Sequence, residues 1–294
     1  MNEQARRLRE MLSRPGPIVS LGIWDAFSAI VAEQEGFELL TLFGSMTSWS
    51  LIGKPDSGNI TQTEMLDAAR RAIRATSVPV IVDCDDGFGD PMNVRRTVQL
   101  VEQFGAAGMY IEDLKRPLRC SALGGGRLIP SDDMVQKIRA AVEARTDPNF
   151  FIMARTDDYE GLDEVVLRAK KYVAAGVDMI LAIGLTSEQA MAKVGREAGV
   201  PVSTIQAAGT RMPLLPRDTL AGMGFKIIFH VPTMYSAAAH GMRLAARNLR
   251  ADMDAGSVVP RVVPGPNPVE MEKMVGLDQD DALQVRYASG ACAR

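Results

Sequence analysis

The sequence has 294 residues, of which 47% are hydrophobic and 23% are charged, and its formal net charge is −3. This length suffices for one large domain or two ordinary ones with a complete hydrophobic core. Interspersed basic and acidic side chains argue against nucleic acid as a main partner. The N-terminal segment is highly charged and no apolar run approaches about 20 residues, so we expect neither a signal peptide nor a membrane span. Three scattered cysteines favour a reducing, cytoplasmic location.

Short apolar segments alternate with helical patterns along most of the chain. Each apolar segment is rich in β-branched residues, as expected of a strand covered on both faces. The eight predicted strands are 17–24, 38–44, 78–85, 108–113, 150–155, 178–183, 200–205 and 225–230. The main predicted helices are 26–37, 63–77, 93–108, 131–145, 162–176, 186–199 and 234–253. Eight such strand–helix units in about 250 residues predict an α/β fold, a closed (β/α)₈ TIM barrel.

A doubly wound open sheet is the main alternative to the barrel. The first strand–helix turn contains no GxGxxG, which weakens that alternative. We assign the catalytic barrel to residues 1–255. Residues 256–294 begin with a proline-rich stretch and continue into a short helical pattern. They are predicted to form a C-terminal helical arm that lies over the barrel or over a neighbouring subunit.

The strongest chemical signal is VDCDDGFGDP, residues 82–91, because active sites of barrels lie where the strands end. In an extended segment Asp83 and Asp85 point to the same face, where two carboxylates repel unless a cation lies between them. Such oxygen ligands suit Mg²⁺ or Mn²⁺. The alternative is that these acids begin the next helix, where negative charge is favourable. We prefer that alternative for Asp86 and Asp90 and the metal for the other two.

Two further charged side chains end the next two predicted strands. Glu112 can reach the same cation, most simply through a water molecule, or it can form an ordinary ion pair at the strand end. Arg155 is suited to hold a carboxylate or a phosphate. A structural pair with Asp157 is an equally good interpretation of Arg155.

Residues 114–130, which we call the lid, contain four basic residues and three consecutive glycines without any helix or strand period. A basic, glycine-rich loop beside a metal site is typical of a lid over an anionic substrate. Cys120 lies in this loop and could act as an acid or a nucleophile, helped by Arg116 and Arg119. A lone cysteine is more often inert.

Taken together, the motifs resemble the isocitrate lyase/phosphoenolpyruvate mutase superfamily over roughly residues 5–250. The matching segments are GIWDAFSA (22–29), Gly44 with Ser45, Pro55 with Asp56, DCDDGFGD–PMNVRRT (83–97), IED (111–113), ARTD (154–157) and GLDEVVLRAKKYVAAGVDMI (161–180). The resemblance implies a Mg²⁺-dependent barrel enzyme that acts on 2-oxo or 2-hydroxy acids with a second anionic group. It also implies a homodimer or homotetramer in which subunits exchange the last helix.

The resemblance also assigns roles to individual residues. Asp85 corresponds to the principal metal ligand, with Asp83 and Glu112 acting directly or through water. Asp56 corresponds to a further acid near the metal. The residues implied to hold the substrate carboxylate are Ser45, the backbone amide of Met46, and Arg155.

The lid departs from the pattern of the lyases in this superfamily, which carry KxCGH. Here the segment is LRCSA (118–122), so Cys120 is kept but Leu118 stands at the lysine position. Arg119 could replace the lost cation. The lyases also have an asparagine after the seventh strand, where this chain offers Thr204 or Gln206.

Three functions remain open on this basis. The first is a Mg²⁺-dependent lyase that cleaves a C–C bond of a 2-hydroxy dicarboxylate, or decarboxylates a 2-oxo dicarboxylate, through an enolate, with Cys120 as the acid. The second is phosphonate chemistry of the mutase or phosphonopyruvate hydrolase type. The third is a non-catalytic barrel that binds an oxoacid. The predicted substrate pocket contains Trp24, Leu118, Ile183, Thr204 and residues of the tail.

Overall fold

Eight parallel strands pair in sequence order, and the last pairs with the first to close a barrel. The computed structural model describes residues 2–121, 124–257, 259 and 264–288. The strands are β1 (Ile18–Ile23), β2 (Leu40–Leu42), β3 (Val80–Asp83), β4 (Gly108–Glu112), β5 (Phe151–Asp157), β6 (Met179–Ile183), β7 (Val202–Gln206) and β8 (Phe225–His230). The predicted TIM barrel is therefore confirmed.

Helices surround this barrel and cover the outer faces of its strands. In chain order they are α1 (Glu3–Ser13), α2 (Ala26–Gln34), α3 (Gly44–Leu51), α4 (Gln62–Arg74), α5 (Pro91–Gln103), α6 (Ser131–Ala144), α7 (Leu162–Ala174), α8 (Glu188–Glu197) and α9 (Arg217–Gly222). Nearly every strand residue is buried, as the apolar, β-branched sequence of the strands predicts.

Two differences from the predicted elements bear on the active site. Helix α3 begins directly after β2, whereas the sequence analysis predicted only a turn there. The helix was missed because the polar segment GSMTSWSL has no clear apolar stripe. In addition, β5 continues two residues beyond its predicted end and includes Asp157.

The chain divides into two compact units, residues 1–234 and residues 235–294. The second unit contains most of α10 (Thr233–Asp254), together with α11 (Pro268–Met274) and α12 (Leu277–Ala288). Exposed apolar side chains occur on all three helices, among them Met242, Leu249, Met271 and Val285. The predicted domain boundary at residue 255 and the exchange of the last helix stay predictions. Among the described residues, no helix is long and apolar enough to cross a membrane.

Gly195 shows how closely the outer helices pack. It lies inside α8, where a Cβ atom would come within 1.8 Å of the carbonyl oxygen of Met223, just after α9. A glycine inside a helix costs about 1 kcal/mol relative to alanine. We conclude that close contact between the two segments accounts for this residue.

We expect Gly195→Ala to lower the free energy of unfolding by roughly 2 kcal/mol, because the clash with rigid backbone outweighs the better helix propensity of alanine. Gly222→Ala is the matched control, since a Cβ atom there meets nothing within 4 Å. Urea denaturation of both variants checks this. Equal stability of the two variants would contradict the proposed role of the close contact.

Candidate active site

A cavity of about 230 Å³ lies where the C-terminal ends of the strands meet. Its polar lining comes from the ends of β3 and β5, from the loops that follow β2 and β7, and from the lid. These residues are Ser45, Asp56, Asp83, Cys120, Arg155 and Thr210. Its apolar lining comes mainly from β6, β7 and the segment after β8, including Leu181, Ile183, Ile205, Ala207 and Pro232. The cavity therefore has a charged side and an apolar side.

The charged side begins with two aspartates at the end of β3. Asp83 Oδ2 accepts a hydrogen bond of 2.9 Å from the amide of Gly44, and Asp83 Oδ1 accepts one of 3.1 Å from the amide of Asp85. A Cβ atom at Gly44 would lie 2.9 Å from Asp85 Oδ1 and 3.1 Å from Asp83 Oδ2. Glycine at residue 44 thus leaves room for both carboxylates at the start of α3.

The local backbone differs from the extended segment that we expected. β3 ends at Asp83, and Asp85 adopts a left-handed conformation with a φ of 46°. Asp and Asn tolerate this region better than most residues. The two carboxylates still converge, but through a tight turn rather than through strand alternation.

Asp85 fits a cation. Its Oδ2 atom is buried without a hydrogen-bond partner in the structure. Burial raises the pKa of Asp85 well above its ordinary value, and the carboxylates of Asp83 and Asp56 raise it further. A nearby cation would offset this repulsion. Across the described ranges, no three Asp, Glu, His or Cys side chains are close enough to form a complete metal site. Mg²⁺ commonly uses only one or two carboxylates and takes its other oxygens from water and substrate, so this pair suits it.

The other acids of this region have separate roles. Asp56 lines the cavity, and burial together with the Asp83 carboxylate raises its pKa to about 6. Asp90 caps α5, as predicted. The corresponding prediction for Asp86 is wrong, because its carboxylate accepts two hydrogen bonds from the Arg116 guanidinium, at 2.9 and 2.7 Å.

Arg155 lies between two carboxylates and is only 8% exposed. Its Nε and Nη2 atoms donate to Asp157 at 2.8 and 3.1 Å, and Nη1 lies 2.8 Å from Glu112 Oε2. Burial alone would lower the pKa of Arg155, but the two carboxylates raise it well above its ordinary value, so the guanidinium stays charged. Each terminal nitrogen carries a second hydrogen, which remains for a ligand in the cavity.

The start of α3 forms another part of the site. Ser45 lines the cavity in the first turn of the helix, where backbone amides have no intrahelical acceptor. Such helix starts favour anions. The side chain of Met46 is fully buried and packs towards Gly22, so only its amide fits the predicted role.

Contacts at both ends of the lid hold it against the barrel. Arg116 bridges to Asp86 and donates to the Gly58 carbonyl at 2.6 Å, which joins the lid to the loop that carries Asp56. At the other end, the Ile129 carbonyl accepts a hydrogen bond of 2.9 Å from Arg168 Nη1 of α7. Leu114 and Leu128 pair the two ends of the lid with each other in an isolated antiparallel bridge. Cys120 is half-buried and faces the cavity.

Several predicted residues do not line the cavity. Trp24 lines a separate cavity of about 500 Å³ between α2, α3 and α4. Thr204 is fully buried in β7, while its neighbour Ile205 contributes to the lining. Arg119 is exposed, and it is absent from the lining, as are Glu112 and Asp85. The roles predicted for these residues stay predictions.

Among the lining residues that the sequence analysis missed are Trp49, Tyr110 and Thr210. Trp49 follows Ser45 by four residues and so shares its helix face, but this signal requires α3 to be recognised as a helix. Tyr110 precedes Glu112 by two residues in β4, where strand alternation could have indicated it. Thr210 lies in an irregular loop without any such pattern.

Comparison with known proteins shows the same architecture. The chain is 33% identical over 290 residues to the 2,3-dimethylmalate lyase of Eubacterium barkeri, covering 97% of this chain and 99% of the relative. A solved structure of oxaloacetate acetylhydrolase with 3,3-difluorooxalacetate superposes with a TM-score of 0.87 at 30% identity, covering 98% and 97% of the two chains.

A phosphonopyruvate hydrolase structure with oxalate and Mg²⁺ superposes with a TM-score of 0.85 at 25% identity, covering 97% of this chain and 99% of that chain. The family described as phosphoenolpyruvate phosphomutase matches residues 8–250. This match spans the barrel and every site residue considered above. The chain therefore belongs to the phosphoenolpyruvate phosphomutase family, within the isocitrate lyase/phosphoenolpyruvate mutase superfamily.

Proposed function

We propose that the protein is a Mg²⁺-dependent lyase that cleaves a C–C bond of a small 2-hydroxy or 2-oxo dicarboxylic acid, by a retro-aldol reaction or by decarboxylation. The observation that carries this proposal is the single cavity lined by Asp83, Arg155 and Cys120. These residues offer a metal-binding carboxylate, a cation for the substrate and a proton donor. The resemblance to 2,3-dimethylmalate lyase over nearly the whole chain supports the same bond type.

The metal would be held by Asp85 and Asp83, with Glu112 reached through water. When bound, Mg²⁺ supplies Lewis-acid stabilisation for negative charge on the oxygens of the substrate. Glu112 is paired with Arg155, which suits a supporting role better than direct coordination. The finer assignments stay those of the sequence analysis: the family resemblance implies a homodimer or homotetramer, and the scattered cysteines favour the cytoplasm.

Arg155 and the start of α3 orient the substrate. The guanidinium already has its orientation fixed by Asp157, so it binds a substrate carboxylate without first losing freedom of rotation. Ser45 and the amide of Met46 would hold the same carboxylate from the other side. In decarboxylation the electron pair of the broken C–C bond stays on the 2-oxo acid as an enolate, which these fixed donors stabilise. In a retro-aldol reaction the 2-hydroxyl would give its proton to a carboxylate that lines the cavity and become the oxo group, while the electron pair passes to the departing carboxylate fragment.

Cys120 completes the reaction as the acid. Its side chain lines the cavity from the lid. Its thiol would give a proton to the carbon that carries the electron pair, which in the retro-aldol reaction belongs to the leaving fragment. That fragment lies on the apolar side of the cavity, where exclusion of water prevents competing protonation.

A binding measurement tests the metal site. We expect Asp85→Asn to weaken Mn²⁺ binding at least tenfold, because a carboxylate with an unsatisfied buried oxygen is lost. Asp90→Asn is the matched control, since asparagine caps a helix as well as aspartate does. Electron paramagnetic resonance of free Mn²⁺ gives both affinities. Equal affinities would remove Asp85 as a metal ligand.

An activity assay tests the reaction and the acid. The protein is incubated with Mg²⁺ and oxaloacetate, methylisocitrate, dimethylmalate or phosphonopyruvate, with EDTA as the control, and followed by proton and phosphorus NMR. Metal-dependent formation of an oxoacid and a carbon fragment is expected, and Cys120→Ala should lower that rate about 10²-fold. A change confined to the phosphorus spectrum would instead establish phosphonate chemistry. Survival of all four substrates would favour a non-catalytic barrel.

A third test concerns the apolar side of the cavity. We expect Ala207→Val to lower kcat/KM about tenfold more for dimethylmalate than for malate, which lacks the methyl substituents. The two methyl groups of the valine side chain would occupy the space at the apolar side of the cavity that the methyl groups of dimethylmalate need. Steady-state rates with the two substrates give this ratio. An equal loss for both would show that the substituents do not lie against β7.

A further inference from the structure

Ser121 holds the lid by two hydrogen bonds to one buried atom. Its amide and its hydroxyl both donate to Asp157 Oδ2, at 2.7 and 2.9 Å. Both residues are fully buried, although Ser121 belongs to a loop. Ser121 directly follows Cys120, so these bonds fix the backbone next to the proposed acid.

The same carboxylate orients Arg155. The guanidinium donates from Nε to Asp157 Oδ1 and from Nη2 to Asp157 Oδ2. Asp157 Oδ2 therefore accepts from the lid and from the proposed substrate clamp at once. A buried carboxylate that loses donors is destabilised, so displacement of the lid alters the surroundings of Arg155.

Further contacts of Ser121 and of the neighbouring lid backbone hold the serine in this position. A Cβ atom at Gly184, just after β6, would come within 2.3 Å of Ser121 Oγ and 2.9 Å of Ser121 Cβ. Residue 184 thus leaves the space that the serine side chain fills. In addition, Arg211 Nη2 donates to the Ser121 carbonyl at 3.0 Å, and the Tyr159 hydroxyl donates to the Arg119 carbonyl at 2.5 Å.

We propose that Ser121 is a positioning residue that couples closure of the lid to the orientation of Arg155, through the shared Asp157 carboxylate. With the lid closed, Cys120 and the clamp are aligned on the same substrate; with the lid open, Asp157 loses two donors. The catalytic meaning of this coupling rests on the proposed lyase function. How firmly Ser121 holds the lid does not depend on the reaction and is measured without turnover.

Any residue except proline could donate the hydrogen bond from the backbone amide at position 121 to Asp157. The hydrogen bond from the hydroxyl is therefore the specific contribution of the serine side chain. Hydrogen bonds to a buried charged group are roughly twice as strong as neutral ones. Removal of the hydroxyl should therefore raise the population of the open lid by about tenfold.

Alkylation of Cys120 by iodoacetamide reports the open lid directly. We expect Ser121→Ala to increase the alkylation rate of Cys120 about tenfold, read by peptide mass mapping. Cys84, which is fully buried, is an internal reference in the same sample. Ser13→Ala is the matched control variant, because its hydroxyl is hydrogen-bonded within α1. The alkylation rate is measured as a function of pH. A changed pKa of the thiol would shift this pH profile, whereas a more open lid would raise the rate by the same factor at every pH.

A second variant tests the fit between Ser121 and Gly184. Gly184→Ala should open the lid in the natural background, because the new Cβ displaces the serine side chain and because alanine is strained at the φ of 84° found there. In a Ser121→Gly background the two close contacts are absent and only the backbone strain remains, so Gly184→Ala should increase the alkylation rate by a smaller factor than in the natural background. Independent effects of the two substitutions would show that Gly184 does not shape the serine site.

The outcomes separate the two proposals. If Ser121→Ala leaves the alkylation rate of Cys120 unchanged, the coupling is overturned, whatever the protein catalyses. If alkylation rises but kcat/KM for the substrate found by NMR stays the same, closure of the lid does not serve the reaction and the catalytic part is overturned. A rise in alkylation together with an about tenfold lower kcat/KM supports both.

Discussion

The buried Arg155 guanidinium is compensated on both sides, by Glu112 of the neighbouring strand and by Asp157 of its own. The ion pair between Glu112 and Arg155 follows from the register of β4 and β5, in which these two residues lie directly opposite each other. A charge in such a place is stable only while its partners remain, because desolvation of an unpaired ion costs several kcal/mol. The Glu112 amide also donates to the Asp85 carbonyl at 2.8 Å. The turn that carries Asp85 and, through Asp157, the lid are thus both connected to the partners of this one cation.

The sequence predicted those parts of the site that depend on parallel strands ending at one edge. Asp83 and Arg155 follow apolar segments, so the closed barrel alone brings them together. The two interpretations of Arg155, an ion pair or an exposed clamp, were treated as alternatives. In the structure the guanidinium pairs with Asp157 and lines the cavity as well, because a guanidinium has five N–H groups to share.

The sequence could not predict parts that depend on backbone turns and on side-chain direction. The left-handed conformation of Asp85 brings its carboxylate beside Asp83 by a path that strand alternation does not describe. Thr204 and Ile205 are neighbours in β7, and only Ile205 lines the cavity. A prediction that places the strand one residue out of register assigns each side chain to the wrong face, so the sequence could not distinguish the two. Trp24 belongs to a cavity between helices, since the chain leaves the barrel as soon as β1 ends.

The two sides of the cavity come from different arcs of the barrel. The charged groups and the Cys120 thiol belong to the strands and loops from β2 to β5, while the apolar lining comes largely from β6, β7 and the segment after β8. Substitutions on the second arc can change the shape of the cavity without moving the charged groups on the first. The shape of the cavity can therefore vary in small, independent steps while the charged groups keep their places.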